Sequence, residues 1–198
     1  NDGDVTALAG SIDLNDTRVL GIAMGTSEAV GYINRDGGIN GWLSELAFVP
    51  VDFNENAMAD EWSGDTGVGC KYFSQDAVIK LAEAGGYSFK EGATPAEKLK
   101  EIQALMEKDN PLARQIYEDI GVYLAYALPF YAKFYDIKHV LLLGRVTGGK
   151  GGNILLDTCK KVLAEEYPQF KDLDISLPDE KNRRVGQSIA AASLPANV

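Results

Sequence analysis

Two short apolar runs separated by a turn of small residues constrain this chain more than any other feature. Val19-Leu20-Gly21-Ile22-Ala23-Met24 is short enough for a buried strand. Gly25-Thr26-Ser27 follows, and a second run from Ala29 to Ile33 leads into Asn34-Arg35-Asp36-Gly37-Gly38, a hairpin-turn signal. Strand, Gly-Thr-Ser turn, strand can gather successive backbone N–H groups into a concavity for an anion, because small side chains let a ligand approach. The same pattern also describes a glycine-punctuated hairpin with no ligand. The full stretch runs to Pro50, and the rest of the chain has to pack around it.

The remaining elements follow from periodicity and caps. Asp4 to Leu8 starts a short helix. Ser74 to Ala84 is helical, with Ala77, Val78, Leu81 and Ala82 on one face and Gly85-Gly86 as its stop. Thr94-Pro95-Ala96-Glu97 is a capping-box start for a helix to about Glu107, striped by Leu99, Ile102, Leu105 and Met106. Asn110-Pro111 opens the longest helix, to about Tyr135, with Leu112, Ile116, Ile120, Tyr123, Leu124, Ala127, Tyr131 and Phe134 as its buried face. From Val122 onward this helix is apolar almost all round, which predicts a central position, with a kink at Pro129. Its aromatic density favours core packing over a binding groove. His139 to Gly144 reads as a buried strand, Arg145 to Gly152 as a glycine-rich loop, and Asn153 to Glu166 as the helix after it. Such a junction places free N–H groups and a helix dipole at one spot. A short strand from Asp174 to Leu177 and a helix from Asn182 to Ala192 complete the reading. No repeat, low-complexity segment or linker divides the chain, so 1–198 is expected to be a single domain.

Charge and cysteine content exclude several classes of function. The net charge is −10, and Lys181, Arg183 and Arg184 form the one tight basic cluster, which disfavours a nucleic-acid partner. No apolar run reaches the roughly eighteen residues a membrane helix needs. No signal-peptide pattern opens the chain, and its start at Asn1 instead of Met is the expectation for a fragment or processed product. Cys70 and Cys159 are too few for a disulfide framework or a zinc cluster, which predicts a reduced, cytoplasmic protein and Cys70 as a small buried residue. His139, the single histidine, reads as a surface or core residue, and Trp42 and Trp62 read as core or interface before sugar platforms.

Taken in order, Asn1-Asp2, the Gly25-Thr26 turn, Ser44-Glu45-Leu46-Ala47-Phe48, Gly67-Val68-Gly69-Cys70 and the strand ending at Gly144 resemble the C-terminal lobe of the ROK family (repressors, open reading frames, sugar kinases). That family's pattern is N-D, G-T-G-x-G-x-G, G-E-x-G-H, a zinc segment ending G-C-x-E, and a strand ending in glycines. The resemblance implies an α/β fold, the ribonuclease-H-like lobe of an actin-like ATPase, with a mixed sheet flanked by helices. It also implies an ATP-dependent sugar kinase that phosphorylates a hexose or related sugar. Asp2 would be the general base that takes the proton from the sugar hydroxyl, with Asn1 and Glu45 binding the sugar. Gly25 and Thr26 would face the phosphates, Gly144, Gly148 and Gly149 the adenosine, and Mg would arrive with ATP. An Asp at this position also reads as an ordinary helix cap. Departures from the pattern point to an alternative. Ser27, Ala29 and Val30 add side chains to the phosphate turn, Phe48 replaces the His, Tyr72 replaces a Glu, and Asn54 to Gly64 contains no Cys or His. No structural zinc is therefore expected, and a non-catalytic ROK descendant that binds a ligand or a protein is the second reading. The family's other lobe carries D-x-G-G-T, which this chain lacks, so an N-terminal lobe of the same protein is the implied partner. A homodimer is compatible with the family.

Overall fold

The computed structural model describes residues 2–39, 42 and 44–178. Its centre is a mixed four-stranded sheet in the order β2-β1-β3-β4, made of β1 Val19–Met24, β2 Glu28–Ile33, β3 His139–Leu143 and β4 Asp174–Ser176. β1 and β2 form the antiparallel hairpin expected from the sequence, in register from Val19↔Ile33 to Met24↔Glu28. β3 joins β1 in parallel, and β4 joins β3 in parallel. Five helices flank the sheet: α1 Asp2–Leu14, α2 Gln75–Ala84, α3 Pro95–Glu107, α4 Pro111–Tyr131 and α5 Gly149–Glu166. No helix of the described residues is long and apolar enough to cross a membrane.

Strand alternation divides the core in two. Leu20, Ile22 and Met24 of β1, Val30 and Tyr32 of β2, and Val140 and Leu142 of β3 turn toward the main core under α2–α5. Val19, Ile33, Leu141 and Leu143 point the other way and pack with Ala7, Leu8 and Ala9 of α1. The α1 helix lies almost on the sheet because small residues meet there. A Cβ on Gly31 would fall 2.1 Å from the Gly3 carbonyl oxygen, one on Gly21 3.0 Å from the Ala7 nitrogen, and one on Gly10 1.8 Å from the Leu141 side chain. The helix starting at Asp4 in the sequence reading thus begins earlier and runs to Leu14.

Local signals hold where they were strongest. Ser74 caps α2, accepting from the Asp76 amide. Thr94 and Glu97 close the capping box of α3, with the Thr94 amide 2.8 Å from Glu97 Oε2. Asn110 Oδ1 accepts from the Leu112 and Ala113 amides at 3.0 and 3.1 Å. The ends differ. The α4 helix stops at Tyr131 instead of Tyr135, where the chain tightens to i→i−3 bonds from Lys133 to Phe130 and from Phe134 to Tyr131. Pro129 lies in this last turn, so the donor it lacks is lost at the helix end and not in the middle. The α5 helix starts at Gly149, four residues before the expected Asn153. Its early glycines serve packing: a Cβ on Gly151 would sit 2.4 Å from the Tyr117 ring, and one on Gly152 2.0 Å from the Thr147 carbonyl oxygen. The expected helix from Asn182 to Ala192, and the basic cluster with it, lies outside the described residues.

One expectation for α4 is overturned. Its second half is not covered all round: Val122, Tyr126 and Phe130 are exposed along one face, and Phe134 beyond the helix is 59% exposed. Val122, Tyr126 and Phe130, with Phe53, Tyr123 and Tyr167, edge a groove of about 690 Å³. Composition shows that a helix is apolar, but which faces are covered depends on what packs there, and α2, α3 and α5 take only one side. Trp42 and Trp62 are likewise exposed, at 58% and 84%, against the core reading. Replacing Gly31 by Ala forces the new Cβ into the Gly3 backbone, so urea unfolding should show a loss of about 1–3 kcal/mol, the usual cost of overpacking.

Candidate functional site

The carboxyl ends of β1 and β3 and the loops that leave them form one crevice edge, the place where open α/β sheets hold ligands. Beyond β1, Gly25 donates to the Ser27 carbonyl at 3.1 Å and accepts from the Gln75 amide at 2.9 Å, which fixes the turn to the start of α2. Thr26 and Ser27 are exposed. A Cβ on Gly25 would meet nothing closer than the Ser27 oxygen at 3.7 Å, so the turn's backbone stays open to an approaching group. The loop beyond β3 crosses directly over the end of β1. The Val146 amide donates to the Met24 carbonyl at 3.1 Å, and Gly144 has φ +98° with its Cβ position 2.2 Å from that oxygen. Only glycine fits there. The loop closes through Thr147 Oγ1, which donates to the Gly144 carbonyl at 3.0 Å, and through Gln103, which donates to the Arg145 carbonyl at 2.8 Å. Gly25, Thr26, Gly144, Gly148 and Gly149 therefore lie along one edge.

The helix end in this crevice is not free for a ligand. The Lys150 amide donates to Glu107 Oε1 at 3.0 Å, and Lys150 Nζ donates to the Glu107 carbonyl at 3.0 Å and pairs with Asp109 at 3.2 Å. A carboxylate of the chain itself occupies the anion position at the start of α5. The anion spot expected at this junction is thus satisfied internally, and the exposed positions of the loop are Arg145 and Gly149.

On the other side, α1 brings its N-terminal turn against β2 at Val30 and Gly31. Gly31 belongs to the glycine pattern of the phosphate turn, yet here it serves this helix contact. Asn1 and the Asp2 side chain lie outside the described residues; the Asp2 backbone is the first residue of α1. Two residues on, the Asp4 carboxyl is raised above its ordinary pKa by burial and by the nearby charge of Glu45. Glu45 is exposed just before the Leu46–Phe48 turn, so it and the start of α1 share one region. Sequence reasoning passed over Asp4 because it reads as a first-turn helix acid. Phe48 packs against Trp62 in a tilted ring contact, with centroids 5.7 Å apart. Tyr72, in the place of the family's Glu, is buried, donates to Asp52 Oδ2 at 2.6 Å and accepts from the Met58 amide at 3.0 Å.

Two further charged residues were not legible as important. Lys71, buried in the Gly69–Lys71 turn, has its ammonium among Asp60 at 3.5 Å, Asp76 at 3.0 Å and Glu61. Burial opposes its charge, and the hydrogen bonds of Glu61 and Asp76 overcome that cost and hold the ammonium above the ordinary lysine value. It thereby ties the 52–68 loop, through Asp60 and Glu61, to α2. Glu28, the first residue of β2, is buried with neither carboxyl oxygen hydrogen-bonded. His139 is a clamp at the strand start, with Nδ1 2.7 Å from Asp174 and Nε2 3.0 Å from Asp16. Cys70 is buried as expected, and burial pushes its thiol up to about 11. Replacing Lys71 by Met leaves three carboxylates facing each other. It should cost about 1–3 kcal/mol and open the 52–68 loop to protease, while EDTA leaves the melting temperature of the wild type unchanged.

No protein-family model matches this sequence, and no curated protein does. Solved structures do. A ROK hexokinase from Thermus thermophilus superposes with a TM-score of 0.72 at 16% identity, over 100% of this chain and 65% of its own. A ROK-family glucokinase from Streptomyces griseus, in complex with glucose and AMPPNP, gives 0.71 at 16%, over 96% of this chain and 66% of its own. A ROK-family transcriptional regulator, a homolog of the E. coli MLC protein, gives 0.70 at 17%, over 98% of this chain and 51% of its own. The chain thus spans just under two thirds of these kinases and about half of the regulator. At such identities the likeness is one of fold: this chain has the α/β fold shared by these ROK sugar kinases and the ROK regulator.

Proposed function

We propose that the chain is the C-terminal lobe of a divergent ROK-type sugar kinase that transfers phosphate from ATP to a hexose or related sugar. The observation that carries this reading is the convergence, on one edge of the sheet, of an open Gly25–Ser27 turn and the Gly144–Gly149 loop, with Glu45 and the start of α1 grouped together nearby. What supports a nucleotide here is exposure: Thr26 and Ser27 are exposed with open space beside Gly25, where phosphate would lie, and the Gly144–Gly149 loop, exposed at Arg145 and Gly149, would face the adenosine. In this reading Asp2 accepts the proton of the attacking hydroxyl, and Asn1 and Glu45 orient the sugar. Magnesium bound with ATP would neutralise charge on the phosphates. An N-terminal lobe completes the cleft, and both cysteines, free and buried, suit a reducing cytoplasm.

A second reading, a non-catalytic descendant that binds a ligand or a partner, is favoured by Tyr72. Its hydroxyl is committed to Asp52 and Met58 and replaces a sugar-binding carboxylate with none. Titration of the intact gene product with ATP–Mg and a panel of aldohexoses separates the two. The kinase reading expects turnover that falls about 10²–10⁴-fold in Asp2→Ala, the usual worth of a general base, with sugar affinity kept within a few-fold. Silence toward both nucleotide and sugars assigns the chain to the second reading.

A further inference from the structure

Glu28 follows the Gly25–Ser27 turn directly, and the alternation of β2 points its side chain, like Val30 and Tyr32, into the main core. It is 5% exposed, and neither carboxyl oxygen has a hydrogen-bond partner. Its space is made by Gly69, where a Cβ would lie 2.3 Å from Glu28 Oε2 and 3.0 Å from the Leu46 carbonyl oxygen. The titratable groups that face it are the Cys70 thiol, from the Gly69–Lys71 turn, and the Tyr131 phenol, from α4. Burial holds both above their ordinary values, so both are neutral near pH 8. Lys71, in the same turn, gives its ammonium to Asp60, Glu61 and Asp76, and among the described residues no cation pairs with Glu28. A carboxylate here would be a buried charge without donor or counterion, whereas the neutral acid fits. Burial accordingly raises Glu28 from 4.5 to about 8.

The segments next to this carboxyl are bonded to one another. Glu28 pairs with Met24 across the hairpin. The Ser74 hydroxyl donates to the Cys70 carbonyl at 2.5 Å and caps α2, and the next amide, Gln75, donates to Gly25 at 2.9 Å. We propose that Glu28 in its protonated form is a positioning residue, holding the Gly25–Ser27 turn against the start of α2. The geometry of the turn is thereby set by a proton. The extra proton belongs to the folded state, so the contribution is intact below the ordinary carboxyl value and is lost as pH rises from about 4.5 to about 8. Where it concerns phosphate affinity, this rests on the nucleotide reading above; as a property of the turn it stands without it.

The test uses the full chain with no nucleotide. A carboxyl-carbon NMR titration should place the Glu28 midpoint near 8, and a midpoint near 4.5 overturns the proposal. Native-state hydrogen exchange should show the protection factor of the Gln75 amide falling by up to about tenfold between about pH 7 and pH 9, ahead of the core amide of Leu142 in β3. In Glu28→Gln, which stays neutral, that fall should vanish. A Gln75 profile that runs parallel to Leu142, or that Glu28→Gln leaves unchanged, reduces Glu28 to an ordinary stability residue and sinks the proposal. If Glu28→Gln does not fold, the two wild-type measurements decide alone. Absence of ATP binding by the intact protein at every pH would overturn the nucleotide reading and leave these readouts untouched.

Discussion

The Gly3 and Gly31 backbones meet with no side chain between them, and the position of α1 follows from that contact. Because Gly31 pairs with Gly21 across the hairpin, and Gly21 lies under Ala7, the helix crosses β2 and β1 at backbone distance. Gly10 over Leu141 extends the contact to β3. A helix this close buries its small face fully, and its first turn arrives beside Glu45. The sugar side of the proposed cleft therefore depends on four glycines, each needed because the next atom in space belongs to a backbone or a packed side chain.

The same economy appears at the proposed nucleotide side and on the opposite face of the sheet. Gly144 lets the loop after β3 sit on the Met24 carbonyl, and Gly151 with Gly121 lets α5 come down on α4. Glycines that look, in sequence, like a ligand-binding loop are thus divided between two tasks. Gly144 and Gly148 shape the crevice, while Gly151 and Gly152 are packing residues in the first turns of a helix. Glu107 and Lys150 complete that division by satisfying the helix end internally.

Where the family pattern has a zinc-binding segment, this chain ties the corresponding loop with a buried ammonium. Lys71 is a single cation with three carboxylate partners drawn from the loop and from α2. Phe48 and Trp62 add an aromatic contact beside it. A side chain thereby supplies the cation that cross-links loop and helix.

The sequence by itself determined the local elements. Alternation fixed the β1–β2 hairpin and β3, and the Ser74, Thr94-Pro95-Glu97 and Asn110-Pro111 caps fixed three helix starts, because these signals act within a few residues. The order of Asn-Asp, Gly-Thr, Glu and terminal glycines carried the resemblance that the solved structures bear out as a fold. Tertiary structure alone decided which face of α4 is bare, where α5 begins, and what each glycine touches, since those depend on neighbours far away in the chain. It also decided the state of Glu28. Read locally it is one acid after a turn; in the fold Gly69, Cys70 and Tyr131 surround it and remove its water, and no local pattern encodes that convergence.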